Sequence, residues 1–292
     1  MKILFISPSF YPATYYGGPI YSTYEFAKSL KRIGIDIKVI TSNANGKERL
    51  SVKTGVWYKL EYELLVKYYM AFNSKGTSFS MLLNVWKEIK EVDLVYLVSI
   101  FSAPTPIAVL YSKLLKKVLI IAPKGQIDKW CMEQGSKFKK LWLNIFIRPF
   151  INNIYWHTTS EDEQKNINVL FKNAHTFIIK HGINMNSSGY TEKKQRDYFN
   201  RYTEFNCSDK NIIISMGRIH KKKGYDILIQ AIEILLMQSN DYLLFIAGTD
   251  FGAKHALIDM IKSKHLSDKV FLQDILKARK RKTFFTMQMY LH

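Results

Sequence analysis

The feature that most constrains the fold of this 292-residue chain is a repeated change of hydrophobic period. Short, near-continuous apolar runs alternate with longer stretches whose apolar residues recur every three or four positions. KILFIS (Lys2–Ser7) leads into PIYSTYEFAKSLKRIG, where Ile20, Tyr24, Ala27 and Leu30 share one helical face and Gly34 marks the stop. IDIKVIT (Ile35–Thr41), DLVYLVS (Asp93–Ser99) and VLIIAP (Val118–Pro123) have the same run-like character. Strands apolar on both faces are the strands of a parallel sheet covered by helices on each side. The pattern predicts α/β architecture.

The order of elements predicts two domains. The first, residues 1–190, continues with a helix through Ala108–Leu115, a long helix over about Lys137–Asn152, the run IYWHTTS, a helix from Glu161 and HTFIIKHG (His175–Gly182). Residues 43–77 are polar and carry no clear period. A mixed, charge-rich stretch from about Asn184 to Asp209, with Asn186-Ser187-Ser188-Gly189, predicts a linker. A second series, residues 205–274, runs through NIIISMG (Asn211–Gly217), a helix Gly224–Met237, YLLFIAG (Tyr242–Gly248), a helix Lys254–Lys262 and KVFLQD (Lys269–Asp274). Its three strands are about half of a doubly wound sheet, so the second domain is expected to be incomplete. Residues 275–292 form a basic tail outside the pattern.

Lys and Arg number 43 against 24 Asp and Glu, a formal net charge of +19. Such a surplus favours anionic partners: nucleic acid, anionic lipid or phosphorylated small molecules. The lysines are scattered rather than set in one recognised nucleic-acid module, which disfavours that partner. Cys131 and Cys207 have no metal or disulfide spacing. No run approaches the roughly 18 apolar residues of a membrane span, and Ile3–Ile6 meets Pro8 too soon for a signal peptide. A cytoplasmic protein is expected, with the inner face of a membrane as a peripheral location.

Three turns could carry chemistry. In PSFYPATYYGGPIYSTYEFAKSL, Gly17 and Gly18 precede Pro19 at a helix start, where backbone N–H groups can meet an anion; a geometric turn is the alternative. In SMGRIHKKKGYDILIQA, Arg218 and Lys223 flank the turn between a strand and a helix. A planar fork and a point charge suit a diphosphate, while a solvated basic turn is the alternative. In LFIAGTDFG, Gly248 and Thr249 follow a strand at its carboxyl end, where open α/β sheets place ligands; an ordinary loop is the alternative.

Taken in order, these segments resemble glycosyltransferase family 4, the retaining, nucleotide-sugar-dependent enzymes of the GT-B fold. The resemblance covers most of residues 2–272. It rests on FYPATYYGGPIYSTYEFAKSLKRIGIDIKVIT, on APKGQIDKWCMEQGSKFKKLWLNIFIRPFINNIYWHTTSEDEQKNI, on IIKHGIN, and on SMGRIHKKKGYDILIQAIEIL with LFIAGTDFG. It implies two Rossmann-like domains and a sugar nucleotide held in the cleft between them. The implied activity is sugar transfer, with retention, to a glycan or glycolipid acceptor in surface polysaccharide synthesis. Arg218 and Lys223 match the positions that bind the donor diphosphate and stabilise the leaving group. Gly17, Gly18, Gly248 and Thr249 are further donor-side candidates; Lys124, Gln126 and His157 are acceptor-side candidates. Cations and helix N-termini neutralise the departing phosphate, so neither a metal nor a cofactor is expected.

The sequence departs from the family in places. Members carry a later glutamate pair seven residues apart in a Gly-rich segment; here the last glutamate is Glu233, and Ile275–His292 has five Lys/Arg and no acid. His181 stands where asparagine is common and Lys124 where arginine is. A truncated or frame-shifted product, with little or no turnover by the 292-residue chain, is therefore expected, and a catalytically inactive remnant is the alternative function. A basic nucleic-acid-binding protein is the second alternative. In the predicted helix over 137–152, Phe138, Leu141, Trp142, Ile145 and Phe146 follow helical spacing beside Lys137, Lys139, Lys140 and Arg148. That pattern fits either docking to an anionic membrane or a core-facing helix with snorkelling lysines.

Overall fold

A computed structural model describes residues 1–182 and 210–273. The chain divides into two compact units, Met1–Ile183 and Asn184–His292. The predicted linker and the basic tail fall outside the described residues.

The first unit is built on an eight-stranded sheet. In chain order the strands are β1 (Lys2–Ser9), β2 (Asp36–Ser42), a small hairpin of β3 (Ala44–Asn45) and β4 (Glu48–Arg49), β5 (Trp57–Lys59), β6 (Leu65–Tyr69), β7 (Leu94–Val98), β8 (Val118–Ala122), β9 (Ile154–Thr158) and β10 (His175–Ile178). The hairpin stands apart, and the sheet order is β10-β9-β8-β7-β1-β2-β6-β5. All neighbours are parallel except β5, which pairs antiparallel with β6 at one edge. The central strand β1 buries Ile3 to Ser7 without a break, because helices cover both faces. Leu4 and Ile6 enter one core, Ile3 and Phe5 the other. On the second face α1 (Gly18–Arg32) contributes Tyr24 and Ala27. On the first face lie α2 (Phe79–Lys90), α3 (Pro104–Leu114), α5 (Ser136–Phe146) and α6 (Glu161–Leu170), with short α4 (Lys129–Glu133) leading into α5.

The order of strands reverses between β1 and β7. In such sheets the carboxyl ends at the reversal form a crevice for ligands. Here the loops leaving β1 and β7 are residues 10–17 and 99–103.

Two regions differ from expectation. The helix predicted over 137–152 stops at Phe146 and passes into a 3₁₀ segment, Arg148–Asn153. Pro149 has no N–H to continue the α-helical ladder and suits only a first turn. The unreadable stretch 43–77 holds the hairpin, the edge strand β5 and its inner neighbour β6, and α2 follows it.

The second unit shows a parallel sheet of β11 (Asn211–Met216), β12 (Tyr242–Ala247) and β13 (Val270–Gln273), in that order. Two helices, α7 (Tyr225–Gln238) and α8 (Lys254–Ser263), share a core with it. Ile229 and Ile232 of α7 and Leu257 and Ile261 of α8 meet Leu244 and Ile246 there.

Candidate functional site

The candidate residues fall into one set in each unit, at the carboxyl ends of parallel strands. In the second unit the loops leaving β11 and β12 are laced together. Gly217 N donates to Ala247 O at 2.9 Å, Ile219 N to Thr249 O at 2.9 Å, and Phe251 N to Ile219 O at 2.9 Å. The lacing requires glycine at the crossing point: a Cβ on Gly248 would lie 1.8 Å from the carbonyl oxygen of Gly217. Gly217 leaves room in turn for its neighbours. A Cβ there would meet the Tyr225 hydroxyl at 2.9 Å and the Lys223 stem at 3.7 Å.

This frame presents the basic turn. Arg218 is exposed, with its guanidinium over the Phe251 ring at 5.2 Å from the centroid. Lys221–Lys223 form one 3₁₀ turn, and all three are exposed. His220 Nδ1 accepts from Lys222 N at 3.0 Å and fixes the turn's start. Gly224, at φ +65, then turns the chain into α7. The positive end of a 14-residue helix thus opens directly behind three lysines. A helix N-terminus favours negative charge, so cations concentrated there make a site for an anion. Asp250, beside Thr249, is occupied otherwise: its Oδ1 accepts from Gly252 N at 2.8 Å and Lys254 N at 3.2 Å, which holds the entry to α8.

In the first unit Gly17 sits at φ +76 and ψ −141, a conformation open essentially to glycine alone. Gly18 begins α1 with Pro19 beside it, and open space surrounds both glycines. Nothing crowds these backbones, so the requirement at Gly17 is conformational and Gly18 leaves an unobstructed approach to the helix start.

The other first-unit candidates are partly or fully buried, and each is tied to neighbouring segments by hydrogen bonds. Lys124, at φ +55, and Gly125, at φ +74, turn the chain sharply after β8. Gly125 N donates to Glu163 Oε1 at 2.8 Å, while Thr159 N and Thr159 Oγ1 donate to Glu163 Oε2 at 2.9 and 3.1 Å. Glu163 is buried and so ties the loop after β8 to the loop after β9. Burial pushes the Lys124 ammonium down to about 8, opposed by the Glu163 carboxylate. Lys124 Nζ lies 3.3 Å from His181 Nε2. Burial, with the charges of Lys124 and His157 beside it, pushes His181 down to about 4. At neutral pH His181 therefore accepts from the lysine.

His157 is buried with both ring nitrogens used. A carbonyl can only accept, so Nε2 donates to Ile179 O at 2.9 Å, and Nδ1 accepts from the Tyr96 hydroxyl at 2.6 Å. Burial holds this imidazole below its ordinary range. Gln126 is equally committed: its Oε1 accepts from Ser99 Oγ at 2.9 Å, Ile100 N at 2.8 Å and Phe101 N at 3.3 Å. Gln126 thus holds the loop leaving β7 at the β1/β7 reversal, whereas His157 ties Tyr96 of β7 to the residue that follows β10. Lys124 is the member of the set with a titratable charge near that rim. Sequence reasoning passed over Glu163, although Ser160-x-x-Glu163 has capping-box spacing. Ser160 Oγ does accept from Glu163 N at 3.2 Å, but the carboxylate turns away to Gly125 and Thr159.

Among the described residues no group of three His, Cys, Asp or Glu side chains could hold a metal, and no helix is long and apolar enough to cross a membrane.

Residues 200–287 match the family Glycosyl transferases group 1. The match includes the basic turn and the β12 loop and runs past Gln273 into the tail. No curated protein matches the sequence. Among solved structures, HepE of Anabaena in complex with UDP-glucose is similar over 94% of this chain and 69% of its own, at 16% identity and a TM-score of 0.64. The catalytic domain of starch synthase IV from Arabidopsis thaliana, bound to ADP and acarbose, is similar over 94% and 74%, at 11% identity and a TM-score of 0.63. WaaG, a glycosyltransferase involved in lipopolysaccharide biosynthesis, is similar over 93% and 70%, at 13% identity and a TM-score of 0.58. The fold is that of the GT-B glycosyltransferases, and residues 200–287 are similar to the Glycosyl transferases group 1 family.

Proposed function

We propose that this protein transfers a sugar, with retention, from a nucleotide-sugar donor to a glycan or lipid-linked acceptor in surface polysaccharide synthesis. The observation that carries the reading is the basic turn of Arg218 and Lys221–Lys223 set at the positive end of α7. It lies inside the stretch that matches a glycosyltransferase family. Two similar folds carry UDP-glucose and ADP.

In the transfer, the bond between the anomeric carbon and the phosphate oxygen breaks, and its electron pair leaves with the nucleoside diphosphate. An acceptor hydroxyl oxygen bonds to the same carbon from the face the diphosphate leaves, which retains the configuration, and the hydroxyl proton passes to the departing phosphate oxygen. Arg218 offers a two-donor fork and Lys223 a mobile point charge to the departing diphosphate. Charge developing there is stabilised more than charge in the bound donor, which is the condition for catalysis. A single preorganised donor of this kind contributes about 2.7–4 kcal/mol. Gly248 and Thr249 border the same site. Lys124 is assigned to the acceptor side, and the chain is assigned to the cytoplasm with a peripheral contact on an anionic inner membrane face.

A panel of UDP-, ADP- and GDP-sugars, each incubated with the full chain and a lipid-linked glycan, tests the reading by mass spectrometry. One donor is expected to be consumed, with a single sugar added to the acceptor. Donor binding with no sugar transferred would assign the chain to the non-catalytic alternative instead.

A further inference from the structure

Three helices lie side by side on one face of the first unit's sheet, and each is apolar on both sides. In α2 the inner side is Met81, Val85 and Ile89, all fully buried. Its outer side nonetheless carries Leu83, 74% exposed, and Trp86. In α3 the outer side carries Leu114, 63% exposed. In α5 the five-residue stripe expected from the sequence splits in two. Trp142 and Phe146 are half-buried, with Trp142 Nε1 donating to Ile100 O at 3.0 Å, while Leu143 and Ile147 complete the core. Phe138, 68% exposed, with Leu141 and Ile145, faces outward. Helix α3 packs against both α2 and α5, so these outward residues belong to one layer.

The charges of the layer have one sign. Lys87, Lys90, Lys113, Lys137, Lys139 and Lys140 belong to the three helices, and Glu88 is their acid. Glu88 is already paired, at 2.6 Å, with Lys67. A large exposed apolar surface rimmed by polar residues marks an interaction site. Lysines interleaved with Trp, Phe and Leu on helices lying in one layer match the boundary of a bilayer, where apolar side chains enter the acyl region and lysines meet anionic headgroups. A second copy of the chain would bring two faces of like charge together, which is unfavourable.

We infer that the outer layer formed by α2, α3 and α5 is a docking surface for an anionic lipid bilayer. The inference names the surface for the peripheral-membrane part of the proposed function and needs no sugar transfer, so its failure and that of the transfer reading are separable.

The test is co-sedimentation of the full chain with vesicles of phosphatidylcholine alone and of phosphatidylcholine with phosphatidylglycerol, in the absence of donor. Binding is expected to the mixed vesicles only. Replacing Lys137 and Lys140 by Gln is expected to weaken it about thirtyfold, from two lysines near a charged surface. Replacing Phe138, Leu141 and Ile145 by Ser is expected to weaken it by roughly a hundredfold. All five positions are outward-facing, and an unchanged circular dichroism melt confirms that both variants fold. Equal binding to the two vesicle types, no binding to either, or variants that bind as the parent does would each overturn the assignment. So would concentration-dependent dimerisation that the Ser variant abolishes.

Discussion

Glu163 is the residue on which most of the first unit's site geometry converges. Its carboxylate accepts from Gly125 N, Thr159 N and Thr159 Oγ1 while buried. A buried donor left without its partner is costly, and hydrogen bonds to a charged group contribute more than neutral ones. Glu163→Ala is therefore expected to lower stability by about 3 kcal/mol in urea unfolding. The same cluster sets a dependence on pH. Lys124 titrates at about 8 in the fold against 10.5 when unperturbed. Between those values the unfolded chain holds a proton that the native one has released, so stability rises with pH across that window. His181 titrates at about 4 against 6.5, so stability falls as pH drops from 6.5 toward 4. Lys124→Met should flatten the alkaline slope and His181→Gln the acid one in unfolding measured from pH 4 to 11; slopes unchanged by either substitution would contradict the network described.

At the level of elements, the glycines at the two candidate sites are under different constraints, and substitution separates them. A Cβ at Gly248 collides with the backbone of Gly217 at 1.8 Å, so Gly248→Ala must push apart the two loops that frame Arg218. A loss of about 3 kcal/mol is expected, at the upper end for overpacking. Gly18 has open space and begins a helix, so Gly18→Ala is expected to be neutral or stabilising by about 0.5 kcal/mol. Melts by circular dichroism distinguish the two, and equal effects would contradict the steric account.

The inner strands were legible in the sequence because burial on both faces writes a continuous apolar run: β1, β7 and β12 are read at their true positions. Strands β5 and β6 were not: β5 is a three-residue edge strand, and β6 alternates half-buried Leu65 and Lys67 with buried Val66 and Tyr68, which breaks the apolar run. Helix α2 escaped for another reason. Met81, Val85 and Ile89 keep the helical period, but Phe79, Leu83 and Trp86 make the opposite face apolar too, and the contrast that marks an amphipathic helix disappears. The residues of the basic turn were readable from their place between a strand and a helix. The roles of Glu163, Gln126 and His157 were not, because their partners lie in other loops that only folding brings near.

For the molecule as a whole, the net charge of +19 acquires two local meanings. One is the turn at the start of α7, where cations gather at a helix N-terminus. The other is the layer of α2, α3 and α5, where lysines sit among exposed apolar side chains. Neither arrangement follows from the total, which a nucleic-acid-binding protein would share.

The central claim is that Arg218 and Lys223 hold the donor diphosphate. Titration calorimetry of the full chain with the sugar nucleotide it binds, repeated with Arg218→Ala and with Lys223→Ala, tests it most directly. Each substitution removes a charge-assisted contact from an exposed site, where the fold loses little. The account predicts that each raises Kd by about 10- to 100-fold while the melting temperature stays unchanged. Affinities equal to the parent's in both variants would contradict it.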